Sequence, residues 1–397
     1  MTYKDIAIID IGSSSIKTFV IDKENSISKI ISVAKSNTIG FDGKTVTNFD
    51  NFVESIKISI DKAQRQLPRK IKNVILIVPT SLNKNLLISE KIILKGSQVE
   101  NNHLRNLLSS INKKYYSQFS HCFRSNFTTD QNIITDNPIG IACDTLTLNA
   151  IGTLIDSSQI NMYKNIFNRV GVNIHSLYDS NVIYYLYLKS LNLDKKNIIF
   201  IDIGYRSTKV LMIKNEKISL IKTLPIGSYF ITNDLVKILN VSYDFADKLK
   251  ISHINLGLNE KKMIEIPVWE ELGKNLKRKI DHEYLKSIMS SRIDEIFNMI
   301  LGMVPKSKFF YSYLVTGGGS MQINLKPYLK NKFGIEVEIF EPKQVKGIPT
   351  FWNNPSIMSL FAMNELIANN SLESLNLLKK NDSFSNKIWY KRFVDLL

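Results

Sequence analysis

The chain has 397 residues, of which 44% are hydrophobic and 22% charged, and this ordinary composition excludes collagen-like, coiled-coil and disordered classes. Its two cysteines and five histidines show no CxxC, HxxxH or HExxH spacing, so the sequence indicates neither a disulfide framework nor a zinc site. The net charge of +16 leaves anionic membrane, phosphorylated ligands and nucleic acid open as partners, although no basic motif interleaved with aromatic residues supports nucleic acid.

A β-hairpin is predicted at the start of the chain. β-branched runs at 6–9 and 18–21 flank the segment 10–17, Asp-Ile-Gly-Ser-Ser-Ser-Ile-Lys. A glycine at such a turn lets the backbone approach an anion, and N–H groups and Ser hydroxyls can hold phosphate oxygens. The candidate phosphate contacts are Gly12, Ser13, Ser14, Ser15 and Lys17. A single copy of this motif is explained equally well by an Asx turn at a hairpin corner.

The same motif recurs 192 residues later, at 201–209, with six of nine positions identical to 9–17. Two facing hairpins can clamp a polyphosphate, so the repeat favours phosphate binding over an incidental turn. Asp10 and Asp202 end the incoming strands, and we expect both carboxylates to face the phosphates and hold a hydrated Mg²⁺ through water. They are therefore the candidate catalytic and metal-holding residues. Further candidate phosphate contacts in the second loop are Gly204, Arg206, Ser207 and Thr208.

Two other segments lead to predictions, one between the two copies of the repeat and one after the second copy. The polar stretch 101–136 reads as irregular, as an inserted small domain would. A glycine cluster follows the apolar run 309–315 and precedes a predicted helix, which suits a loop where a nucleoside packs on bare backbone. A tight strand-to-helix connection is the plainer alternative. The candidate nucleoside contacts are Gly317, Gly318, Gly319, Ser320 and Met321.

The C-terminal tail is predicted to be a linker at 371–382 followed by an amphipathic helix at 383–397. Aromatic and aliphatic residues share one face of this helix and basic residues the other, a composition typical of helices that lie in an anionic membrane interface. A terminal helix docked on its own domain is the alternative. The candidate membrane contacts are Lys387, Trp389, Lys391, Arg392, Phe393, Leu396 and Leu397.

The order of the three glycine motifs resembles the actin, Hsp70 and sugar-kinase superfamily, in which they would be the phosphate-1, phosphate-2 and adenosine motifs. Within it the chain is similar to the FtsA family of bacterial cell-division proteins. The segments 137–140, 146–150 and 355–367 support that resemblance. So does the segment Ala-Asp-Lys-Leu-Lys at 246–250, which resembles the family's A-E-x-x-K helix and adds Asp247 and Lys250 as candidate ribose and adenine contacts.

The resemblance implies an α/β, actin-like two-lobed fold made of duplicated ribonuclease-H-like domains, with an inserted α+β subdomain 1C and a C-terminal amphipathic helix. The implied divisions are subdomain 1A at 1–83, 165–192 and 351–370, subdomain 1C at 84–164, subdomain 2A at 193–226 and 306–350, subdomain 2B at 227–305, the linker at 371–382 and the helix at 383–397.

The resemblance also implies a function: an ATP- and Mg²⁺-binding protein that tethers FtsZ filaments to the cytoplasmic face of the inner membrane and self-assembles at the division site. Subdomain 2B would hold the C-terminal peptide of FtsZ, with Arg292 of the predicted helix 287–300 at that interface. Other division proteins would bind through 1C, and nucleic acid would not be a partner. The alternatives are a PilM-like pilus assembly adaptor and a small-molecule kinase of the same superfamily.

Two features depart from the family pattern. Tyr205 and Arg206 stand where the second phosphate loop usually has two glycines. Because a residue with a Cβ does not freely adopt positive φ, we expect a reshaped loop, with Arg206 either on the γ-phosphate or in solvent, and slow hydrolysis at most. Asp179 is the nearest candidate for a general base, with a surface turn as the alternative.

Overall fold

Two five-stranded sheets of the same topology form the centre of the protein. The structure, a computed structural model, describes residues 6–24, 27–79, 84–115, 119–191, 193, 197–257, 262–267, 277–305, 310–343, 348–369 and 393–394. The elements of the first lobe up to an insertion are β1 (Ile6–Ile11), β2 (Ser15–Glu24), β3 (Ile27–Asn37), α1 (Phe49–Gln64) and β4 (Asn73–Val78).

The insertion is a second, smaller sheet with one helix. It comprises β5 (Lys84–Ile93), α2 (Asn101–Tyr115), β6 (Phe119–Thr129), β7 (Ile134–Thr135) and β8 (Thr145–Leu154). α2 covers the sheet with a face whose buried residues are Leu104, Leu107, Leu108 and Ile111. The stretch 101–136, predicted to be irregular, therefore contains one helix and two strands.

The first lobe then resumes with α3 (Ser157–Val170), β9 (Asn173–Asp179) and α4 (Ser180–Ser190). α3 packs its buried residues Tyr163, Ile166 and Phe167 into the core of the first lobe, so the chain returns from the insertion before α3. This lies earlier than the predicted boundary at residue 165. The first sheet has the order β3-β2-β1-β4-β9. The strands β1, β4 and β9 are parallel to one another, and β2 is antiparallel to its two neighbours, β1 and β3.

The second lobe repeats this sheet and adds a helical layer with a hairpin. Its elements are β10 (Ile198–Ile203), β11 (Thr208–Lys214), β12 (Lys217–Leu224), α5 (Ser228–Leu239), α6 (Tyr243–Ser252), β13 (Met263–Pro267), β14 (Lys277–Asp281), α7 (His282–Met303), β15 (Ser312–Thr316), α8 (Leu325–Phe333) and β16 (Val337–Ile339). The last helix, α9 (Met358–Ala368), follows this sheet in the chain and packs on β1, β2 and β3 of the first lobe. The order β12-β11-β10-β15-β16, with the same strand directions as the first sheet, shows that the lobes are duplicates.

The central strands are continuous apolar runs because both faces of each sheet are covered. β1 and β10 read Ile-Ala-Ile-Ile-Asp-Ile and Ile-Ile-Phe-Ile-Asp-Ile, and their apolar side chains are at most 5% exposed. One face of both sheets contributes to a single core that also contains α4 and α9. The two helices thus lie between the lobes and fix the orientation in which the two hairpins face each other.

Two described residues of the C-terminal tail form a short strand, β17 (Phe393–Val394), which pairs in parallel with β6. Helix was predicted at these two positions, and the structure shows strand. The rest of the predicted linker and helix, 371–392 and 395–397, lies outside the described residues, so the amphipathic helix there stays a prediction. No helix in the described part of the chain is long and apolar enough to cross a bilayer.

Candidate functional site

The two hairpin loops have the same turn. In the first, the backbone N–H of Gly12 donates to the carbonyl of Ser15 at 3.2 Å, and in the second Gly204 donates to Ser207 at 3.0 Å. A Cβ at either glycine would lie 2.8 Å from the carbonyl oxygen that its N–H contacts, which is too close for any side chain. Both turns therefore need glycine for lack of space, although neither has positive φ.

The tips of both hairpins line one cleft between the lobes, with a cavity volume of about 330 Å³. That volume is within the range of small-molecule sites, about 300–1,000 Å³. The predicted site residues that line the cavity are Asp10, Gly12, Ser13, Ser14, Ser15, Lys17, Asp202, Gly204, Ser207, Asp247, Lys250, Gly317, Gly318 and Met321. The three glycine motifs, more than 300 residues apart at their extremes, therefore meet at one site.

Three other predicted residues support the loops from beneath. Thr208 is buried and donates its hydroxyl to the carbonyl of Ile226 at 2.7 Å. Ser320 is buried and donates to the carbonyl of Gly317 at 2.8 Å, and a Cβ at Gly319 would lie 2.3 Å from Cγ2 of Ile203. These residues shape the cleft without lining it.

Gly317 connects the third glycine motif to the second hairpin. Its φ is +85°, and a Cβ there would lie 2.2 Å from Oδ1 of Asp202 and 2.6 Å from the carbonyl oxygen of Ile203. The residue ends β15, the strand that pairs with β10. Only glycine allows the loop to approach Asp202 so closely, because both the backbone angle and the missing side chain are required.

Each carboxylate of the repeat accepts a hydrogen bond from the helix that follows the other lobe's sheet. Asp10 accepts from the hydroxyl of Ser359 in α9 at 2.8 Å, and Asp202 accepts from the hydroxyl of Tyr184 in α4 at 3.1 Å. Burial, and to a lesser extent the charge of Asp202, holds the pKa of the Tyr184 hydroxyl well above its ordinary value. The tyrosine therefore remains a hydrogen-bond donor at physiological pH.

The two equivalent lysines have different partners. Nζ of Lys209 lies 3.1 Å from Oδ2 of Asp202, whereas Nζ of Lys17 donates to the backbone carbonyl of Ser356 at 2.8 Å. Burial acts to lower the pKa of both ammonium groups, but the nearby charges decide the net shift. At Lys17 burial dominates and the net shift is downward, but at Lys209 the charges of Asp202 and Asp10 outweigh it and the pKa is raised.

On the far side of the cleft, Asp247 and Lys250 of α6 form a compact polar cluster with Thr232 of α5. Nζ of Lys250 lies 2.6 Å from Oδ1 of Asp247 and 2.7 Å from the hydroxyl of Thr232, which donates to Asp247 at 3.0 Å. Lys250 is only 4% exposed. Both charged residues line the cavity as predicted, so their paired charges face whatever occupies it.

Arg206 lies outside the cavity lining. Its guanidinium carbon stands 3.8 Å from the centre of the Tyr229 ring, and the neighbouring Tyr205 shares a 2.7 Å hydrogen bond with Tyr243. Neither Tyr205 nor Arg206 has positive φ, so the second loop keeps the same Gly-to-Ser turn as the first without the expected glycines. This placement does not support the predicted contact of Arg206 with a γ-phosphate.

The predicted magnesium site is not compatible with the geometry of Asp202. One carboxylate oxygen already accepts from Lys209 and Tyr184, and the other faces Gly317. Among the described residues, no group of three or more His, Cys, Asp and Glu side chains could hold a metal ion. The sequence predicted a cation shared by Asp10 and Asp202, and the crowding around Asp202 does not fit it.

Two further predicted residues have structural partners. Asp179 is buried and accepts from the backbone N–H of Asn181 at 2.7 Å as the N-cap of α4, so the alternative of a surface turn is wrong. Arg292 of α7 is 25% exposed and pairs through two nitrogens with Asp234 of α5, at 2.8 and 3.0 Å. It is not a freely solvated charge, because it joins two helices.

The sequence analysis missed several residues that line the cleft. These are Lys35, Tyr184, Tyr205, Lys209, Gln322, Ser356 and Ser359. The repeat itself could have indicated Lys209, since it occupies the position of Lys17 in the second copy. Tyr205 lies in the second loop and Gln322 directly follows the glycine cluster, so both adjoin the recognised motifs. Lys35, Tyr184, Ser356 and Ser359 carry no local signal, because they come from elements that only the folded chain brings to the hairpins.

Comparison with solved structures shows the class of the fold. A chain of the PilM-PilN type IV pilus biogenesis complex aligns with a TM-score of 0.61 at 12% identity, covering 91% of this chain and 98% of that one. MreB5 of Spiroplasma citri bound to ADP aligns with a TM-score of 0.50 at 11% identity, covering 93% and 99%. The protein therefore has the predicted α/β actin-like fold.

Sequence comparison shows which actin-like proteins it resembles. A model of the FtsA family, described as Cell division protein FtsA, matches residues 199–362. Cell division protein FtsA of Staphylococcus epidermidis is 25% identical over 371 residues, covering 90% of this chain and 79% of that protein. FtsA of Neisseria meningitidis serogroup B is 25% identical over 365 residues, covering 86% and 85%. The resemblance to the FtsA cell-division proteins is thus confirmed over most of the chain.

Proposed function

We propose that the protein is an ATP-binding, actin-like cell-division protein that tethers FtsZ filaments to the cytoplasmic face of the inner membrane and self-assembles at the division site. The observation that carries this proposal is that all three glycine motifs line one cavity in a chain similar to FtsA. Fold likeness alone would not carry it, because one fold hosts many functions.

The polyphosphate would lie between the two hairpin tips, where backbone N–H groups, Ser hydroxyls and Lys17 face the cavity. The nucleoside would pack on Gly317 and Gly318, with the ribose near the Asp247–Lys250 pair. Bound between the lobes, the nucleotide would favour their closed arrangement and hence assembly. We expect little turnover, because the nearest candidate base, Asp179, is committed to capping α4.

Nucleotide binding is tested by filling the cavity without disturbing the fold. A Cβ at Gly318 would have its nearest contact at 3.9 Å, so Gly318→Phe should fold yet block the nucleoside side of the cleft. The matched control is Gly302→Phe on α7, where a Cβ would meet nothing within 4 Å. We expect calorimetry to show ATP binding by the wild type and the control and a loss of at least about tenfold in the variant. Equal affinity in all three proteins would contradict the site.

Attachment to FtsZ is tested by a pull-down with the FtsZ C-terminal peptide, with and without ATP. A test of Arg292 needs a matched control, because Arg292→Ala also breaks its ion pair with Asp234. Asp234→Ala breaks the same pair and leaves the arginine in place. Loss of the peptide with Arg292→Ala but not with Asp234→Ala would support the predicted contact, and equal loss in both would attribute the effect to the helix pair.

Membrane attachment rests on the composition of the tail. Large apolar side chains contribute roughly 1.5–3 kcal/mol each when buried, and each nearby basic residue about 1 kcal/mol on anionic lipid. Replacing Trp389 and Phe393 by Glu should therefore release the protein from anionic vesicles in sedimentation. Because Phe393 pairs with β6 in the structure, a lower melting temperature with unchanged sedimentation would instead favour a tail docked on its own domain. Unchanged sedimentation after deletion of 383–397 would refute the tether.

The two alternatives have no observation of their own in their favour. The likeness to PilM is a likeness of fold at 12% identity, whereas the family match and the relatives at 25% identity are FtsA proteins. A small-molecule kinase needs a carboxylate base beside a substrate pocket. The carboxylates that line the cavity are Asp10, Asp202 and Asp247, and each is already engaged by a hydroxyl or ammonium group.

A further inference from the structure

Lys209 belongs to the duplicated motif, and the proposed function gives it no role. It lies on β11 directly opposite Asp202 on β10, and its Nζ reaches Oδ2 of that carboxylate at 3.1 Å. The side chains are 17% and 9% exposed, so the pair lies at the floor of the cleft rather than on its rim. Lys209 also lines the cavity itself. Its ammonium group therefore faces any ligand bound between the hairpins.

Both oxygens of Asp202 have close neighbours in the protein. Oδ2 accepts hydrogen bonds from Lys209 and from the hydroxyl of Tyr184, each at 3.1 Å. Oδ1 lies so close to the backbone of Gly317 that a Cβ there would be only 2.2 Å away. A hydrated divalent cation needs an accessible carboxylate oxygen and room for several waters, since Mg²⁺ dehydrates reluctantly. Asp202 has little room for such a cation, because Lys209 and Tyr184 occupy Oδ2 and Gly317 packs beside Oδ1.

The charged side chains around the cavity leave one net positive charge without a metal ion. Two carboxylates and two ammonium groups from the hairpins face it, namely Asp10, Asp202, Lys17 and Lys209. Asp247 and Lys250 add a second neutral pair, and the exposed Lys35 of β3 adds one positive charge. A divalent cation beside Asp202 would meet the ammonium of Lys209 at close range and be repelled.

We propose that Lys209 supplies, from within the protein, the positive charge that a divalent cation would otherwise bring to a bound polyphosphate, so that the cleft takes a nucleoside triphosphate with little dependence on Mg²⁺. This inference rests on the proposed function, because it presupposes that a nucleotide binds here. An ammonium group is a compact point charge that binds phosphate oxygens well. The charges of Asp202, Asp10 and Asp179 keep the pKa of Lys209 raised despite its burial, so the group stays charged at physiological pH.

The test is calorimetric titration of the full-length protein with ATP, once in EDTA and once in excess Mg²⁺. For the wild type we expect dissociation constants that agree within about threefold. Lys209→Met keeps the length of the side chain and removes its charge. We expect this variant to lose at least about tenfold in affinity in EDTA and to recover a large part of it when Mg²⁺ is added, because Asp202 becomes available.

Lys35→Met is the matched control, since it removes one positive charge from the same cavity at a position where the structure shows no carboxylate contact. It should weaken ATP binding equally in EDTA and in Mg²⁺. Lys209→Arg keeps the charge beside Asp202 and should keep the independence from Mg²⁺, which makes it the informative variant if Lys209→Met fails to fold by circular dichroism.

Each outcome decides one of the two proposals. Absence of ATP binding by the wild type in both conditions would overturn the proposed function. Binding by the wild type only in Mg²⁺ would overturn the role of Lys209 and leave the nucleotide site standing. A folded Lys209→Met variant that binds ATP as the wild type does in both conditions would also overturn that role.

Discussion

The loop between β1 and β2 and the loop between β10 and β11 have the same backbone and different side-chain partners. In each, a glycine donates to the carbonyl three residues later, and in each an Asp stands opposite a Lys across the strand pair. Yet Lys209 pairs with the Asp of its own hairpin, whereas Lys17 donates to a backbone carbonyl just before α9. The repeated sequence determines the turn, and the elements packed around it determine which charges pair.

The same comparison explains how the lobes are connected at the site. Asp10 accepts from α9, which follows the sheet of the second lobe, and Asp202 accepts from α4, which follows the sheet of the first. Each hairpin is thus held by the helix that follows the other sheet. The two carboxylates are therefore positioned by helices that are distant from them in the sequence.

The largest effect is expected at Gly317, which packs against Asp202 beneath the second loop. Gly317→Val should destabilise the protein, because it forces a β-branched residue into a backbone region that costs of order 1–3 kcal/mol and also overlaps Asp202. Gly318→Ala is the matched control, with no positive φ and a nearest Cβ contact at 3.9 Å. Urea unfolding checks both. Equal stability of the two variants would show that the Gly317 contact is unimportant.

A smaller effect should distinguish the two carboxylates. Asp202→Asn leaves the ammonium of Lys209 without its charged partner in a site that is largely buried, which costs about 1–3 kcal/mol. Asp10→Asn still accepts from Ser359, so we expect a loss below about 1 kcal/mol. Denaturant unfolding of the two variants measures the difference. If Asp10→Asn cost as much, the two hairpins would be electrostatically equivalent after all.

A comparable or lesser loss is expected at the position where the loops differ in sequence. Arg206→Ala removes a guanidinium that stacks on Tyr229, an interaction of about 0.5–2 kcal/mol, and should lower the melting temperature without changing ATP affinity. Tyr229→Leu should lower it similarly, and the double variant should add little more. A fall in ATP affinity without a change in stability would instead make Arg206 a phosphate ligand.

The smallest effect is a difference in titration. From an ordinary value of 10.5, the pKa of Lys17 should be lower and that of Lys209 higher. Below pH 10.5 the raised pKa of Lys209 stabilises the fold, and this contribution disappears as the pH rises through its folded value. The lowered pKa of Lys17 has the opposite effect on stability. The charged, buried lysine destabilises the fold at lower pH, and this destabilisation disappears as the pH rises through the lowered pKa towards 10.5. NMR of ¹³C-labelled lysine, assigned with Lys→Arg variants, checks this, and shifts in the same direction would contradict it.

The sequence by itself determined the hairpins, their glycines and the positions of Asp10 and Asp202. These features are local, since a β-branched run, a glycine and a second run specify a turn whatever packs around it. The repeat across 192 residues indicated that the two turns act together, and the glycine cluster at 317–319 was recognisable from its strand and helix neighbours. The resemblance to FtsA and the actin-like fold followed from the order of these motifs.

Only the tertiary structure decided which side chains complete the site. Tyr184, Ser356 and Ser359 reach the cleft because α4 and α9 pack between the lobes, and no pattern near these residues indicates it. The same packing pairs Lys209 with Asp202, the carboxylate predicted to hold magnesium, and turns Arg206 onto Tyr229 and out of the cavity lining. Charge pairing depends on distance and burial in three dimensions, and a linear sequence specifies neither.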